Sequence, residues 1–304
     1  MPRDPVTPRT NFLRTDTRPV WRSTWLLPVA ALVAMPVVAA GAQTPTPSSA
    51  AAEASGSWSH PGPAVTRQDV GIAGATLVAA GILTTVDERV ARWSQRPAVQ
   101  QSDAVRRAAA LLRFTGNPGV LALGGVTYGV GVAARHRATA DVGLHTTAAV
   151  VGANVVTAVV KLTAGRARPY VTGDSNAYSF AFGRGLRRGD AYQAFPSGHA
   201  TAAFAFAAAL SAEGRHRWPQ TNRVTEPLAY SVASLVALSR VYHDRHWASD
   251  VVMGAGIGFV TGRALVRFQH ARPDNPIDAR LLPPRTARRR GSSNPATFAW
   301  SVAF

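Results

Sequence analysis

Two imidazoles, one lysine and a few arginines stand at spacings that could do chemistry on an anion. His246 and Asp250 lie four residues apart in the stretch Ser239-Arg-Val-Tyr-His-Asp-Arg-His-Trp-Ala-Ser-Asp250. With a helix starting near Trp247, the carboxylate falls about one turn beyond the imidazole, within reach of one ring nitrogen, and leaves the other free to attack. Arg240, six residues before His246, brings a planar fork of donors that suits phosphate-like oxygens. A nucleophile, its orienting acid and an anion clamp therefore fit within twelve residues. The same residues also fit an ordinary His–Asp helix pair beside a surface arginine.

Two further stretches shift that balance. Pro196-Ser197-Gly198-His199 opens the apolar run Ala200 to Leu210. This places a capping Ser, a flexible Gly and a His at a helix N-terminus, where free N–H groups and the dipole favour an anion. His199 is then placed to protonate a leaving group. Lys161 closes the apolar run Val142 to Val160 and is followed after six residues by Arg168-Pro169, so both cations could reach one phosphate. Of the 33 basic residues 32 are Arg, and Lys161 is the only Lys in the chain. A site needing a compact ammonium rather than a planar fork accounts for the exception.

Lys161, Arg168-Pro169, Pro196-Ser197-Gly198-His199, Ser239-Arg240, His246 and Asp250 together resemble the three-part signature of the type 2 phosphatidic acid phosphatase and vanadium haloperoxidase superfamily. The resemblance runs from Lys161 to Asp250 and, with flanking helices, from about Arg67 to His270. It implies that His246 attacks phosphorus to form a phosphohistidine, that Asp250 orients it and that His199 protonates the departing oxygen. Lys161, Arg168, Ser197, Gly198 and Arg240 would hold the phosphate oxygens. Positive charge around the equatorial oxygens is what phosphoryl transfer requires, and Lys and Arg can supply it without a metal. Vanadate, which has the shape of the phosphoryl transition state, could occupy the same cage, so a vanadate-dependent haloperoxidase is the alternative chemistry. A non-specific soluble acid phosphatase of the same fold is another.

The elements that must position these residues follow from apolar periodicity. Val70 to Val86, Gly119 to Ala134, Val142 to Val160, Ala200 to Ala212, Leu228 to Leu238 and Val251 to Val266 predict an all-α bundle of about six core helices without strands. A charged amphipathic stretch, Asp87 to Arg113, joins the first two. Tyr170 to Ala194 is polar and Gly-rich and reads as a loop over the site, either a lid that selects substrate or a solvated connection. His243 and Asp244 give no metal-ligand spacing, and Trp247 is expected to pack beneath His246. His136, His145, His216 and His270 belong to no motif and read as structural or solvated. The domain proper is residues 67–270. Residues 1–42 resemble an export signal or N-terminal anchor, with five Arg against two Asp before the apolar run Trp25 to Ala40. Residues 43–66 form a disordered linker and 271–304 a basic flexible tail, whose alternating end around Phe298, Trp300, Val302 and Phe304 reads as a tail or edge strand.

The absence of Cys excludes disulfides, zinc–thiolate sites and a cysteine nucleophile. The net charge of +17 comes with no nucleic-acid-binding motif, so it points to an anionic membrane surface or anionic substrate. The expected partner is a phosphorylated small molecule or lipid of the cell envelope, with no nucleic acid and no metal. Three apolar segments precede Lys161; after a cleaved signal, or counted with an N-terminal anchor, they would place the site on the side opposite to that of membrane-spanning family members, whereas an N-terminal run that does not cross leaves a six-span bundle that fits the pattern. A mean hydropathy of +0.00 and short runs interrupted by Asp141, His145 and Asn154 favour an exported, soluble or membrane-associated bundle on the periplasmic side over a six-span one.

Overall fold

In the computed structural model, residues 62–272 and 275–283 are described, and among them the fold is all-α. The export signal or anchor, the linker up to residue 61 and the alternating C-terminal end lie outside the described residues. The long helices are α1 (Arg67–Thr84), α4 (Asp103–Thr115), α5 (Asn117–Ala133), α6 (Arg137–Ala164), α9 (Gly198–Arg217), α10 (Pro219–Tyr242) and α11 (Ala248–Ala271). Short helices α2 (Asp87–Ser94), α3 (Pro97–Gln100), α7 (Pro169–Thr172), α8 (Arg184–Arg188) and α12 (Pro276–Leu281) fill the connections.

Local chemistry sets the helix ends. Thr66 and Asp69 form a capping box on α1, the Thr66 N–H donating to Asp69 Oδ2 at 2.8 Å. Ser102 caps α4 and Ser197 caps α9. Gly165, at φ 56°, ends α6 in a left-handed turn, where a Cβ would lie 2.2 Å from the Ala181 carbonyl oxygen.

Helix α9 forms the centre. Its Ala-rich surface is buried nearly all round, from Ala200 through Ala209, as expected for a helix enclosed by α6, α10 and α11. Close approach is possible because α11 turns glycines toward it. A Cβ on Gly258 would stand 2.2 Å from the Thr201 carbonyl oxygen, and one on Gly262 2.5 Å from that of Ala205. The backbones of the helices that carry His199 and Asp250 are thus in contact along their length.

Two expectations change at this level. Part of the segment expected to be a flexible tail is folded: α12 follows α11, Leu282 is buried and the Tyr128 hydroxyl donates to the Leu281 carbonyl at 2.6 Å. Leu282 packs with Ala140 and Leu144 of α6 beside Tyr128 of α5, and this burial overrides the Pro- and Arg-rich composition around it. The preference for a soluble bundle finds no support either. Leu77, Ile82, Leu123, Val126, Val155 and Leu228 are among many large apolar side chains left exposed on α1, α5, α6 and α10. Among the described residues two stretches, Arg137–Thr172 and Ala248–Ala271, are long and apolar enough to cross a membrane; α1 and α2, bent by 67°, make a third if they count as one span.

Candidate active site

Three separate segments meet at one end of the bundle. Lys161 sits in the last turn of α6, and beyond Gly165 the chain runs through Arg166 and Arg168 beside the returning loop. The Ala194 N–H donates to the Arg166 carbonyl at 3.1 Å and the Arg168 N–H to the Ala191 carbonyl at 3.0 Å. The start of α9 is fastened to the first turn of α11 by the Ser197 N–H donating to the Asp250 carbonyl at 2.9 Å. Arg240 arrives from the last turn of α10.

The two imidazoles occupy different settings under one field. His246 is buried, and its Nδ1 lies 2.7 Å from the Ala194 carbonyl oxygen. A carbonyl only accepts, so Nδ1 carries the proton and Nε2 keeps its lone pair. Burial, then Lys161, Arg168 and Arg240, hold the His246 pKa well below the usual imidazole value. His199 packs on Gly116 at the end of α4, where a Cβ would come within 2.3 Å of its ring. Burial, then Arg240 and Lys161, push it down to about 4, against a hydrogen bond to the Arg113 backbone. Both rings are therefore neutral near pH 7 and feel the same three cations.

Those cations are held in different ways. Lys161 Nζ donates to the Gln193 carbonyl at 2.5 Å, and its Cε passes 3.6 Å from where a Cβ on Gly198 would stand. Arg168 is pinned by the loop: Nε donates to the Asp190 carbonyl at 2.8 Å, Nη2 to Asp190 Oδ1 at 2.5 Å and Nη1 to the Arg245 carbonyl at 2.9 Å. Its Nη1 also lies 3.5 Å from His246 Nε2. Arg240 differs: only 5% exposed, it leaves Nε and Nη1 without a hydrogen-bond partner. Buried guanidinium donors are costly to leave unpaired, so they mark a place where an anion belongs. Ser197 is buried and spends its hydroxyl on capping, accepting from the Ala200 N–H at 3.5 Å.

The expected contact between Asp250 and His246 is not a hydrogen bond. Asp250 Oδ2 lies 3.7 Å from His246 Nδ1 and instead accepts from the Trp247 N–H at 2.8 Å, while Oδ1 accepts from Arg166 Nη1 at 2.5 Å. His246 precedes the N-cap of α11, so the i, i+4 relation of a helix face does not reach it. Asp250 acts here through the helix start, and the Ala194 carbonyl fixes the ring.

Arg166 was invisible in the sequence, one Arg among 32 within the Lys161–Arg168 interval. It is 0% exposed and bridges Asp250 to Asp87, with Nη2 to Asp87 Oδ2 at 2.8 Å and Nη1 to the Ser249 hydroxyl at 2.7 Å. Ser249 donates its hydroxyl to the same Asp87 oxygen and its N–H to Asp87 Oδ1 at 2.9 Å. Asp87 itself, from α2, carries no motif signal.

The remaining candidates sort readily. Trp247 is fully buried, donates to the Ala167 carbonyl at 2.9 Å and lies under the Arg166 guanidinium. Asp244 faces Asp174 across a carboxylate pair, and burial and that neighbour push it up to about 7. The 170–194 loop is no mere solvated connection, since Ala177 and Ala194 are buried and its backbone holds Lys161, Arg166, Arg168 and His246. Replacing Lys161 by Arg keeps the charge but puts a fork where a point contact to Gln193 fits, and is expected to lower turnover by about 10- to 100-fold. Steady-state kinetics of Lys161→Arg checks this; unchanged turnover would remove the argument for a lysine.

Comparison with known proteins places these residues in a wider setting. A sequence model of the PAP2 superfamily matches residues 143–274. A lipid A 1-phosphatase from Porphyromonas gingivalis is 40% identical over 87 residues, 29% of this chain and 19% of that protein, so the chain matches about a fifth of that relative's length. A transmembrane PAP2 type phosphatidylglycerolphosphate phosphatase from Bacillus subtilis is similar with a TM-score of 0.47 and 18% identity, over 68% of this chain and 96% of the other.

Proposed function

We propose, from the premise that residues 143–274 of this chain belong to the PAP2 superfamily, that the protein is a phosphatase that removes a phosphate group from a membrane lipid through a phosphohistidine on His246. The observation that carries the reading is the buried Arg240 fork with unpaired donors, set with Lys161 and Arg168 around two neutral imidazoles. His246 Nε2 attacks phosphorus as the bond from phosphorus to the lipid oxygen breaks, and His199 gives that oxygen a proton. Water then attacks the phosphorus–nitrogen bond while His199 takes a proton from it, releasing inorganic phosphate and the original imidazole. Lys161, Arg168 and Arg240 stabilise the charge on the equatorial oxygens, the work a metal does in other phosphoryl-transfer sites.

The acid needs a proton that the free site withholds, and the substrate resolves this. A bound phosphate dianion offsets the three cations that depress His199, so its pKa rises from about 4 on binding. Binding of sulfate, a tetrahedral anion that is already a dianion at pH 6, is therefore expected to take up a proton. Calorimetry in buffers of different ionisation heats reads this directly; uptake indistinguishable from zero contradicts the assignment of His199 as the acid.

A lipid substrate is supported by the exposed apolar flanks of α1, α5, α6 and α10, which would seat the bundle in a bilayer with the cationic site at one end. The name of the Porphyromonas relative points the same way. The deciding experiment is release of inorganic phosphate from lipid phosphomonoesters and diphosphates by the full chain in detergent, without vanadate. Peroxide-dependent halide oxidation in place of phosphate release would defeat the reading.

A further inference from the structure

The opposite end of the bundle holds a second cluster that phosphate chemistry does not use. Along the helices, His145 stands about 24 Å from Lys161, Glu213 about 21 Å from His199 and His270 about 30 Å from Asp250. His145 and His270, expected to be structural or solvated, converge on a single oxygen: His145 Nδ1 lies 2.5 Å and His270 Nε2 2.8 Å from Glu213 Oε1. The three donor atoms all lie within 4.8 Å of one another, with His145 and Glu213 buried and His270 half-buried.

Two imidazole nitrogens aimed at one carboxylate oxygen need either a proton on each or a cation among them. The groups around these three side chains are those of a metal site. His145 turns its other nitrogen, Nε2, toward Asp278 Oδ2 at 3.5 Å; neither that nitrogen nor Asp278 Oδ1 has a hydrogen-bond partner, though both are buried. Ligating imidazoles commonly present their far nitrogen to a carboxylate in this way. Glu213 Oε2 is held by Arg217 Nε at 2.8 Å, which aims Oε1 at the two rings. Arg217 also pairs with Asp141 at 2.5 Å, and Arg137 lies 3.7 Å from Asp141. With both imidazoles neutral, as metal ligands are, three carboxylates thus face two guanidiniums, which leaves the cluster net negative before any cation enters.

The donor set selects the ion. Two nitrogens and one carboxylate oxygen suit zinc, whereas magnesium and calcium want oxygen ligands. Zinc bonds of about 2.0–2.1 Å in a tetrahedron place donors about 3.3 Å apart. The two short contacts would widen by under about 1 Å, within the reach of side-chain rotation. We propose that His145, Glu213 and His270 bind a zinc ion that clamps α6, α9 and α11 at the end remote from the phosphate site, with Asp278 of α12 orienting His145. This site is independent of the catalytic reading.

The test uses the full chain in detergent, stripped with chelator, desalted and titrated with cobalt(II) and zinc. One equivalent of cobalt should give the intense visible bands of a tetrahedral N/O site, displaced by zinc, and zinc but not magnesium should raise the thermal midpoint. His270→Ala and Glu213→Gln should weaken zinc binding by at least about 100-fold, and Asp278→Asn by about 10- to 100-fold. Absence of a saturable cobalt spectrum in the wild-type chain overturns the proposal, as does equal affinity in a His145→Ala/His270→Ala double variant. Should the variants not fold, the wild-type spectrum and its zinc-dependent midpoint decide alone.

Discussion

His246→Ala is expected to lower phosphate release by roughly 10⁴-fold or more, equivalent to about 5 kcal/mol of transition-state stabilisation, because it removes the atom that, on the proposed mechanism, bonds to phosphorus. Nothing adjacent can substitute. Arg168 Nη1, 3.5 Å from Nε2, is a cation, and Asp250 is committed to Arg166 and the Trp247 N–H. Wild-type enzyme mixed with labelled substrate and quenched in alkaline denaturant should carry an alkali-stable, acid-labile phosphoramidate on His246. His199→Ala should behave differently. Its loss should be large for lipid alkyl leaving groups and small for an aryl phosphate, whose oxygen departs without a proton. Equal losses on both substrates would place His199 in phosphate binding rather than acid catalysis, and a His246→Ala variant with near-normal turnover would end the nucleophile assignment.

Arg166→Ala should be the most destabilising single change near the site, by about 3–5 kcal/mol. The guanidinium is completely buried between Asp87 and Asp250, both themselves buried, and also donates to the Ala177 carbonyl at 2.9 Å through Nε. Its removal leaves two buried carboxylates facing each other without the guanidinium that joins them. Arg166→Lys should recover little, since one ammonium cannot span two acids, a hydroxyl and a carbonyl at once. Asp87→Asn should cost less, because Arg166 then keeps Asp250. Denaturant midpoints in detergent give the ranking; a loss below about 1 kcal/mol for Arg166→Ala would mean the network carries no stability. Activity should fall with stability, as Arg166 fixes the carboxylate that starts α11.

What the sequence alone determined is local or compositional. The Ser197 cap, the start of α11 beside Trp247 and the all-α pattern depend on residues within a turn or two of one another, where spacing and side-chain type dictate geometry. The solitary lysine and the ordered motifs likewise need no fold to be seen. Tertiary structure alone decided the partners. His246 meets Ala194 from 52 residues away, Arg166 meets Asp250 from 84 and Asp87 from 79, and Glu213 meets His145 from 68. No local rule selects among 32 arginines, and a backbone carbonyl has no signature at all, so these contacts exist only once α6, α9 and α11 pack through their small residues. Which apolar side chains face outward was settled in the same way. Val155 and Ala153 stand two residues apart in one apolar run, and α9 covers only the second. Burial is a property of the neighbour across the interface, and the sequence does not say who that is.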